Sequence, residues 1–248
     1  VPSAAGAGAR PDQSFHTAEF AEQIRRKVFG GWPVESNPIR PVLRRQTNTG
    51  GLRCVSYELT TQPGIALDLT LIMNKRVGRP KKLVLTVLDS ISWTNSPQNP
   101  AWPGWNPEPL AQLKQRMIAD RAAFAFVAPR AVAPADWSND PKKVTQIRRR
   151  FMLLGQTLDG MRVWDIRCAV HALESLPELK SATLTLRAQG EMGVNAAYAA
   201  LFEPSVAHLE LSRIPSSHRQ GPDYLNVLKM WDTPQLLDLL AGRAVCSN

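Results

Sequence analysis

The sequence has few of the residues that build disulfide frameworks or metal centres. It contains three cysteines and four histidines in 248 residues. The cysteines, Cys54, Cys168 and Cys246, lie far apart without a C-x-x-C spacing, and the histidines show no paired ligand spacing with one another. One disulfide with a free thiol and three buried thiols both fit this pattern. The sequence therefore predicts no metal site and leaves the redox compartment open.

Long apolar runs are also missing. No run reaches the roughly eighteen residues that cross a bilayer, so we expect no transmembrane helix and no membrane partner. The first stretch, VPSAAGAGARPDQSF, lacks the charged and then apolar regions of a signal peptide. We interpret residues 1–16 as a flexible tether, left either by signal cleavage or as a linker from an upstream domain. Residues 17–248 are predicted to form one domain.

Positive charge is in excess, with a net charge of +9 and an isoelectric point near 9.9. The basic residues are dispersed in short groups such as NKRVGRPKK and IRRRF, and no group combines with aromatic residues in the manner of a base-stacking platform. Nucleic-acid platforms usually combine the two residue types. We therefore predict no nucleic-acid partner and a modest preference for acidic partners such as anionic polysaccharide.

The pattern of apolar residues predicts an α/β fold. Two partly alternating segments, LRCVSYELTTQ and GIALDLTLIMNK, flank a Pro63–Gly64 turn and predict an antiparallel hairpin. Continuous apolar runs at 82–89 and 123–130 predict strands buried on both faces. Helices are expected over 143–176, with a break or kink at its glycines, and over 222–231 and 233–242. The sequence thus predicts a doubly wound, mostly parallel sheet with the hairpin at one edge.

The segment 183–202, TLTLRAQGEMGVNAAYAALF, predicts a strand, a small-residue turn and an alanine-rich helix. This is the outline of a nucleophile elbow, in which G-x-S-x-G places a reactive serine on the turn. Gly190 takes the place of the serine. Because a nucleophile of this kind sits at a positive φ that glycine tolerates, we expect Gly190 to keep the geometry without the hydroxyl.

Three other positions are weak candidates for catalysis. Glu191 is either a carboxylate nucleophile or general base, or an acidic residue favoured by the helix dipole. Ser217 and His218 are either a reactive pair or part of a turn, and adjacent loop residues rarely reach the geometry of a serine and its base. Asp89 ends a buried strand beside the expected cleft but has no assignable partner.

A nucleotide-binding module is a second interpretation of the same turn. Ala188-x-Gly190-x-x-Gly193 resembles G-x-G-x-x-G, and Glu210 stands about twenty residues further on, where a ribose-binding carboxylate is expected. However, alanine replaces the first glycine, and the motif falls late in the chain. We therefore predict no cofactor.

The proline-rich segment 92–109 contains Trp93, Trp102 and Trp105. Flat aromatic rings suit the apolar faces of sugars, and this segment is expected at the carboxyl ends of the strands, where ligands bind. It predicts a carbohydrate-binding platform. The alternative is that the rings cover a small satellite of the core or pack on a neighbouring domain.

Three segments carry a family resemblance: RRRFMLLGQTLDGMRVWDIRCAVHAL, LRAQGEMGVNAAYAALFEPSVAHLEL and SSHRQGPDYLNVLKMWDTPQLLDLLAGRAV. From residue 82 onward the chain resembles α/β-hydrolases of the acetyl xylan esterase type, most of all degenerate second domains of large bacterial multidomain esterases. The resemblance implies a sheet truncated at its C-terminal end, polysaccharide esters as the setting, and another esterase domain or chain as partner. It also implies a secreted or periplasmic protein.

The chain departs from that family at the catalytic positions. Besides the glycine at the serine position, the family's acid and histidine follow its last strands, and no complete triad can be assigned here. The leading hypothesis is an accessory or pseudoenzyme module of a carbohydrate esterase. The alternatives are an active ester hydrolase with an unrecognised nucleophile and the nucleotide-binding module.

Overall fold

The computed structural model describes residues 12–34, 38–99, 101, 107–132 and 140–247. In this part of the chain the strands are β1 (Val42–Thr49), β2 (Leu52–Gln62), β3 (Ile65–Asn74), β4 (Lys82–Val87), β5 (Ala122–Val127), β6 (Thr183–Gln189), β7 (Val206–Ser212) and β8 (Ala244–Ser247). The helices are α1 (Asp12–Lys27), α2 (Ser90–Thr94), α3 (Pro107–Ala119), α4 (Pro141–Leu153), α5 (Leu158–Glu174), α6 (Gly190–Phe202) and α7 (Thr233–Leu239). Short 3-10 helices cover Pro177–Leu179 and Val227–Lys229.

The strands form one sheet in the order β1-β2-β3-β5-β4-β6-β7-β8. Strands β4 to β8 run parallel to their neighbours, whereas β1, β2 and β3 pair antiparallel and β3 joins β5 antiparallel. The predicted hairpin of β2 and β3 is confirmed, with Gly64 at φ +79° in its turn. The edge is larger than predicted, because β1 extends it. Since β1 is almost entirely exposed, its sequence carries no apolar alternation to reveal it.

The helical predictions are confirmed in part. The helices expected over 143–176 are α4 and α5, and the predicted break falls at Gly155 with φ +69°, whereas Gly160 lies within α5. The predicted helix over 222–231 is wrong: this segment has only a single 3-10 turn, preceded by Asn226 in the left-handed region at φ +59°. The helix predicted over 233–242 is confirmed, because α7 begins at Thr233 with Asp232 as its N-cap.

The core lies on both faces of the sheet. The larger cluster packs one face against α5 and α6 and includes Tyr198, Ile166 and Leu85, each fully buried. The smaller cluster lies on the opposite face, where Met117 of α3 covers Ile72 and neighbouring apolar residues. Helices on both faces of a mostly parallel sheet confirm the predicted fold class.

A buried ion pair fixes the carboxyl ends of the strands. Arg130, just after β5, donates from Nε and Nη2 to the two carboxylate oxygens of Asp165 on α5 at 2.8 and 2.6 Å. The side chains are 3% and 0% exposed. Thr61 of β2 also donates to Asp165, and Arg130 reaches the amide oxygen of Gln62. This network ties β2, β5 and α5 together at one edge of the sheet.

Replacing Asp165 by alanine should destabilise the protein by about 3–5 kcal/mol, because it leaves the Arg130 cation buried without its partner. The free energy of unfolding from urea titration measures this loss. The matched control is Asp223→Ala, which removes the more exposed ion pair between Arg148 and Asp223 and should cost at most about 1 kcal/mol. Equal losses in the two variants would contradict the structural role of the buried pair.

Candidate functional site

The turn between β6 and α6 has the backbone conformation of an elbow. Strand β6 ends at Gln189, and α6 begins at Gly190 with φ +56°. A Cβ built on Gly190 meets no heavy atom within 4 Å, so the position has room for a Cβ. One turn later, a Cβ on Gly193 would lie 2.5 Å from Ile214 Cγ2. A glycine is therefore favoured at the two positions for different reasons. At Gly190 it is the backbone conformation, and at Gly193 it is close packing.

Asp89 lies beside this turn and is already engaged. Its carboxylate accepts a hydrogen bond from the Gln189 amide at 3.0 Å, and Gln189 in turn accepts one from Arg213. Asp89 also caps α2, where its side chain accepts from the backbone and hydroxyl of Ser92. Burial alone would raise the pKa of Asp89, but the hydrogen bonds from Ser92 and Gln189 outweigh it and lower the pKa. These contacts hold Asp89 as a carboxylate that positions the turn.

Glu191 lies in the first turn of α6, next to Gly190. Partial burial and the negative charge of Asp159 raise the pKa of its carboxyl group. Its side chain covers Gly221, where a Cβ would lie 2.3 Å from the carboxylate oxygen. Among the described residues no hydrogen-bond donor contacts the Glu191 carboxylate. A proton acceptor therefore exists at the turn, without a partner to orient it.

Ser217 and His218 both lie on the loop after β7, and they are not bonded to each other. The Ser217 hydroxyl donates to the carboxylate of Asp232 at 2.6 Å. The same carboxylate accepts the backbone N–H groups of His218 and Thr233. Asp232 thus holds this loop against the start of α7. The capping signature Asp-Thr-Pro-Gln at 232–235 was the sequence signal for this role.

The His218 ring points into the core instead. It is 6% exposed, and its Nε2 lies 2.9 Å from the hydroxyl of Tyr198. Trp231 donates its indole N–H to the same hydroxyl at 3.0 Å. Burial lowers the pKa of His218. Within the described residues, no serine or cysteine side chain is hydrogen-bonded to a histidine. The arrangement lacks the serine–histidine pair that activates a hydroxyl.

The residues of the nucleotide-binding interpretation are also separated. Glu210 lies on β7 opposite Arg187 of β6, and the two side chains form an ion pair at 2.6 Å. Its carboxylate is therefore engaged along the sheet, below the turn at Gly190. The described residues also contain no cluster of three side chains suited to a metal ion.

The tryptophans of the segment 92–109 do not all fall in the described part. Trp93 belongs to α2 and packs half-buried against the larger core cluster. Trp102 and Trp105 lie outside the described residues. The carbohydrate platform predicted from the three rings therefore remains a prediction.

A cavity of about 590 Å³ lies away from the turn, beside α5. Partly exposed His171 and buried Arg167 both line it. Glu203, at the end of α6, binds Arg167 Nε at 2.6 Å and His171 Nε2 at 2.8 Å. The guanidinium of Arg167 also lies over the ring of Trp32. The hydrogen bond and charge of Glu203 raise the pKa of His171.

Known proteins resemble this chain in structure. No protein-family model and no curated sequence matches it. A protein proposed to be an acetyl xylan esterase, from Bacteroides fragilis, covers 95% of this chain and 68% of its own, with 11% identity and a TM-score of 0.71. The glucuronoyl esterase from Solibacter usitatus covers 93% and 72%, with 14% identity and a TM-score of 0.65.

A third solved structure agrees with these two. The glucuronoyl esterase from Teredinibacter turnerae covers 95% of this chain and 67% of its own, with 14% identity and a TM-score of 0.61. At such identities the likeness concerns the fold. The chain has the α/β-hydrolase fold, and its resemblance to carbohydrate esterases of this type is confirmed at that level. No helix among the described residues is long and apolar enough to span a membrane.

Gly190→Ala should destabilise the protein by about 1–2 kcal/mol, because a Cβ in the left-handed conformation meets the following carbonyl. The matched control is Gly242→Ala. Its Cβ would also meet nothing within 4 Å, but its φ lies outside the left-handed region, so its stability should be unchanged or higher. Urea titration of both variants compares them. A stable Gly190→Ala protein would contradict the elbow conformation.

The contact between His171 and Glu203 should make stability depend on pH. Because folding raises the pKa of His171, its contribution is complete below the unfolded pKa of about 6.5 and is lost as pH rises through the folded value. Thermal unfolding temperatures of His171→Gln should therefore fall below wild type at pH 6 and approach it at higher pH. His208→Gln, on the exposed side of β7, is the control and should match wild type throughout. If the unfolding temperature of His171→Gln fell further below wild type as pH rises, the prediction would be wrong.

Proposed function

We propose that this chain is a non-catalytic α/β-hydrolase module that assists the hydrolysis of polysaccharide esters. The observation that carries the proposal is Gly190, which holds the backbone conformation of an elbow nucleophile at φ +56° but has no side chain. Covalent ester hydrolysis on this fold needs a hydroxyl there and a histidine to activate it. The turn keeps its shape and lacks the group that reacts.

The other candidate catalytic residues give limited support to the alternative that the chain is an active ester hydrolase. Ser217 donates to Asp232 and is not bonded to a histidine. Asp89 is occupied by Ser92 and Gln189. Glu191 is the one candidate here whose carboxyl group has a raised pKa and no bonded partner among the described residues. If the chain has its own activity, Glu191 is therefore the residue to test alongside Ser217.

The setting of polysaccharide esters comes from the solved structures that share this fold, which are named as acetyl xylan and glucuronoyl esterases. We extend their substrate class, and no reaction, to this chain. An assisting module needs a catalytic esterase domain or chain as its partner. We place the pair outside the cytoplasm, where polysaccharides lie.

Treatment with a fluorophosphonate probe tests the proposal. An activated serine attacks the phosphorus, forms an O–P bond and releases fluoride, which intact mass detects. We expect no adduct on the purified chain under conditions in which a serine esterase of the same fold labels completely. A stoichiometric adduct on one serine would overturn the proposal and identify the nucleophile by peptide mapping.

Two variants separate the alternatives. If an adduct forms and Ser217→Ala abolishes it, the chain is a serine hydrolase with an unusual nucleophile. If no adduct forms but the chain hydrolyses acetylated xylan and Glu191→Gln abolishes that turnover, a carboxylate replaces the serine. Absence of both adduct and turnover supports the non-catalytic module.

A further inference from the structure

A second cavity lies on the outer face of the antiparallel strands. It is a groove of about 470 Å³ over β1, β2 and β3. It lies on the face of the sheet that α3 covers further along, where Cys54 and Ile72 join the smaller core cluster. The helix α3 contacts β3 and β5. The groove therefore lies on this face of the sheet, next to the part that α3 covers.

Strand register places polar side chains in rows across its floor. Arg45 of β1 is opposite Ser56 of β2, and Ser56 is opposite Thr70 of β3. Opposed residues of antiparallel strands point to the same face, about 4.5–5.5 Å apart. Two residues along their strands, Thr47 and Asp68 lie on the same face and line the groove as well. The floor is a grid of hydroxyl, guanidinium and carboxylate groups.

These groups have no partners in the described part of the chain. The hydroxyls of Ser56 and Thr70, the guanidinium of Arg45 and the carboxylate of Asp68 form no hydrogen bond or ion pair within it. Thr70 is only 9% exposed. A polar group that is largely removed from water is stabilised when a partner replaces the lost hydration. The groove therefore offers donors and acceptors to a ligand.

One wall of the groove is held rigidly. Residues 97–99, which follow α2, form it. The amide of Gln98 donates to the backbone carbonyls of Asp68 and Phe126, at 2.8 and 2.9 Å. Asn99 donates to the carbonyl of Thr94 at 2.8 Å. These bonds anchor the wall to β3, β5 and α2, and a wall fixed in advance lowers the entropic cost of binding.

The chemistry of the groove limits its ligand. Hydroxyls that both donate and accept, one carboxylate and one guanidinium suit a neutral ligand rich in hydroxyl groups. The positive charge of Arg45 and the negative charge of Asp68 balance, so the groove has no strong preference for ions. Burial and the nearby charge of Glu58 raise the pKa of Asp68.

We propose that this groove binds a segment of polysaccharide chain through the hydroxyl groups of its sugars. The proposal rests on the function proposed above only for the choice of polysaccharide. Recognition would take place on the sheet face at Ser56 and Thr70, with the turn at Gly190 at a different place on the molecule.

Affinity gel electrophoresis of the full chain tests the groove, with soluble arabinoxylan, glucomannan or mixed-linkage β-glucan cast in the gel. We expect retardation by at least one of them. Ser56→Ala/Thr70→Val removes two hydroxyls with little change in shape and should weaken binding about tenfold. The control, Ser181→Ala/Thr183→Val, removes two exposed hydroxyls at the amino end of β6 and should bind like wild type. Thermal unfolding of each variant confirms that it is folded.

Three results would overturn the proposal: no retardation by any of the three polysaccharides, unchanged binding by a folded groove variant, or equal weakening by the control. The outcome is separable from that of the probe experiment. A serine adduct together with groove-dependent retardation would overturn the non-catalytic function and leave the groove standing. No adduct together with no retardation would overturn the groove and leave the non-catalytic function standing.

Discussion

The buried pair of Arg130 and Asp165 is the constraint on which the carboxyl edge of the sheet depends. Both charges are out of water, so each is tolerated only because the other, with Thr61, completes its hydrogen bonds. From the same helix, Arg162 extends the network to the backbone carbonyls after β5 and to Asp159. The helix α5 therefore sets where β2 and β5 end, and through Asp159 it also holds the loop after β7.

This arrangement explains how the turn at Gly190 can persist without a reactive side chain. Its position depends on the contact of Gly193 with Ile214 and on the bridge from Asp89 to Gln189. Neither interaction involves a hydroxyl on the turn. A side chain at a positive φ is a cost that active enzymes accept for function. Glycine removes that cost, so the fold loses nothing when the nucleophile is absent.

Local patterns in the sequence were enough to predict some of these features. The hairpin of β2 and β3, the buried parallel strands and the positive φ of Gly190 each depend on a few neighbouring residues. Features that depend on distant contacts were missed or predicted wrongly. The polar strand β1 carries no apolar alternation, and the segment 222–231 has helical spacing but is not helical. The bond from Ser217 to Asp232 spans 15 residues, so adjacency suggested His218 as its partner instead.

The groove could not be predicted from the sequence because it also depends on contacts between distant residues. It is formed by other elements than the turn at Gly190. Its floor comes from β1, β2 and β3, and Gln98 fixes its wall to β3 and β5. The turn belongs to β6 and α6 and is supported by α5. Because the two sites share no side chain, a change at one need not disturb the other. The proposed groove and the turn at Gly190 can therefore be tested independently of each other.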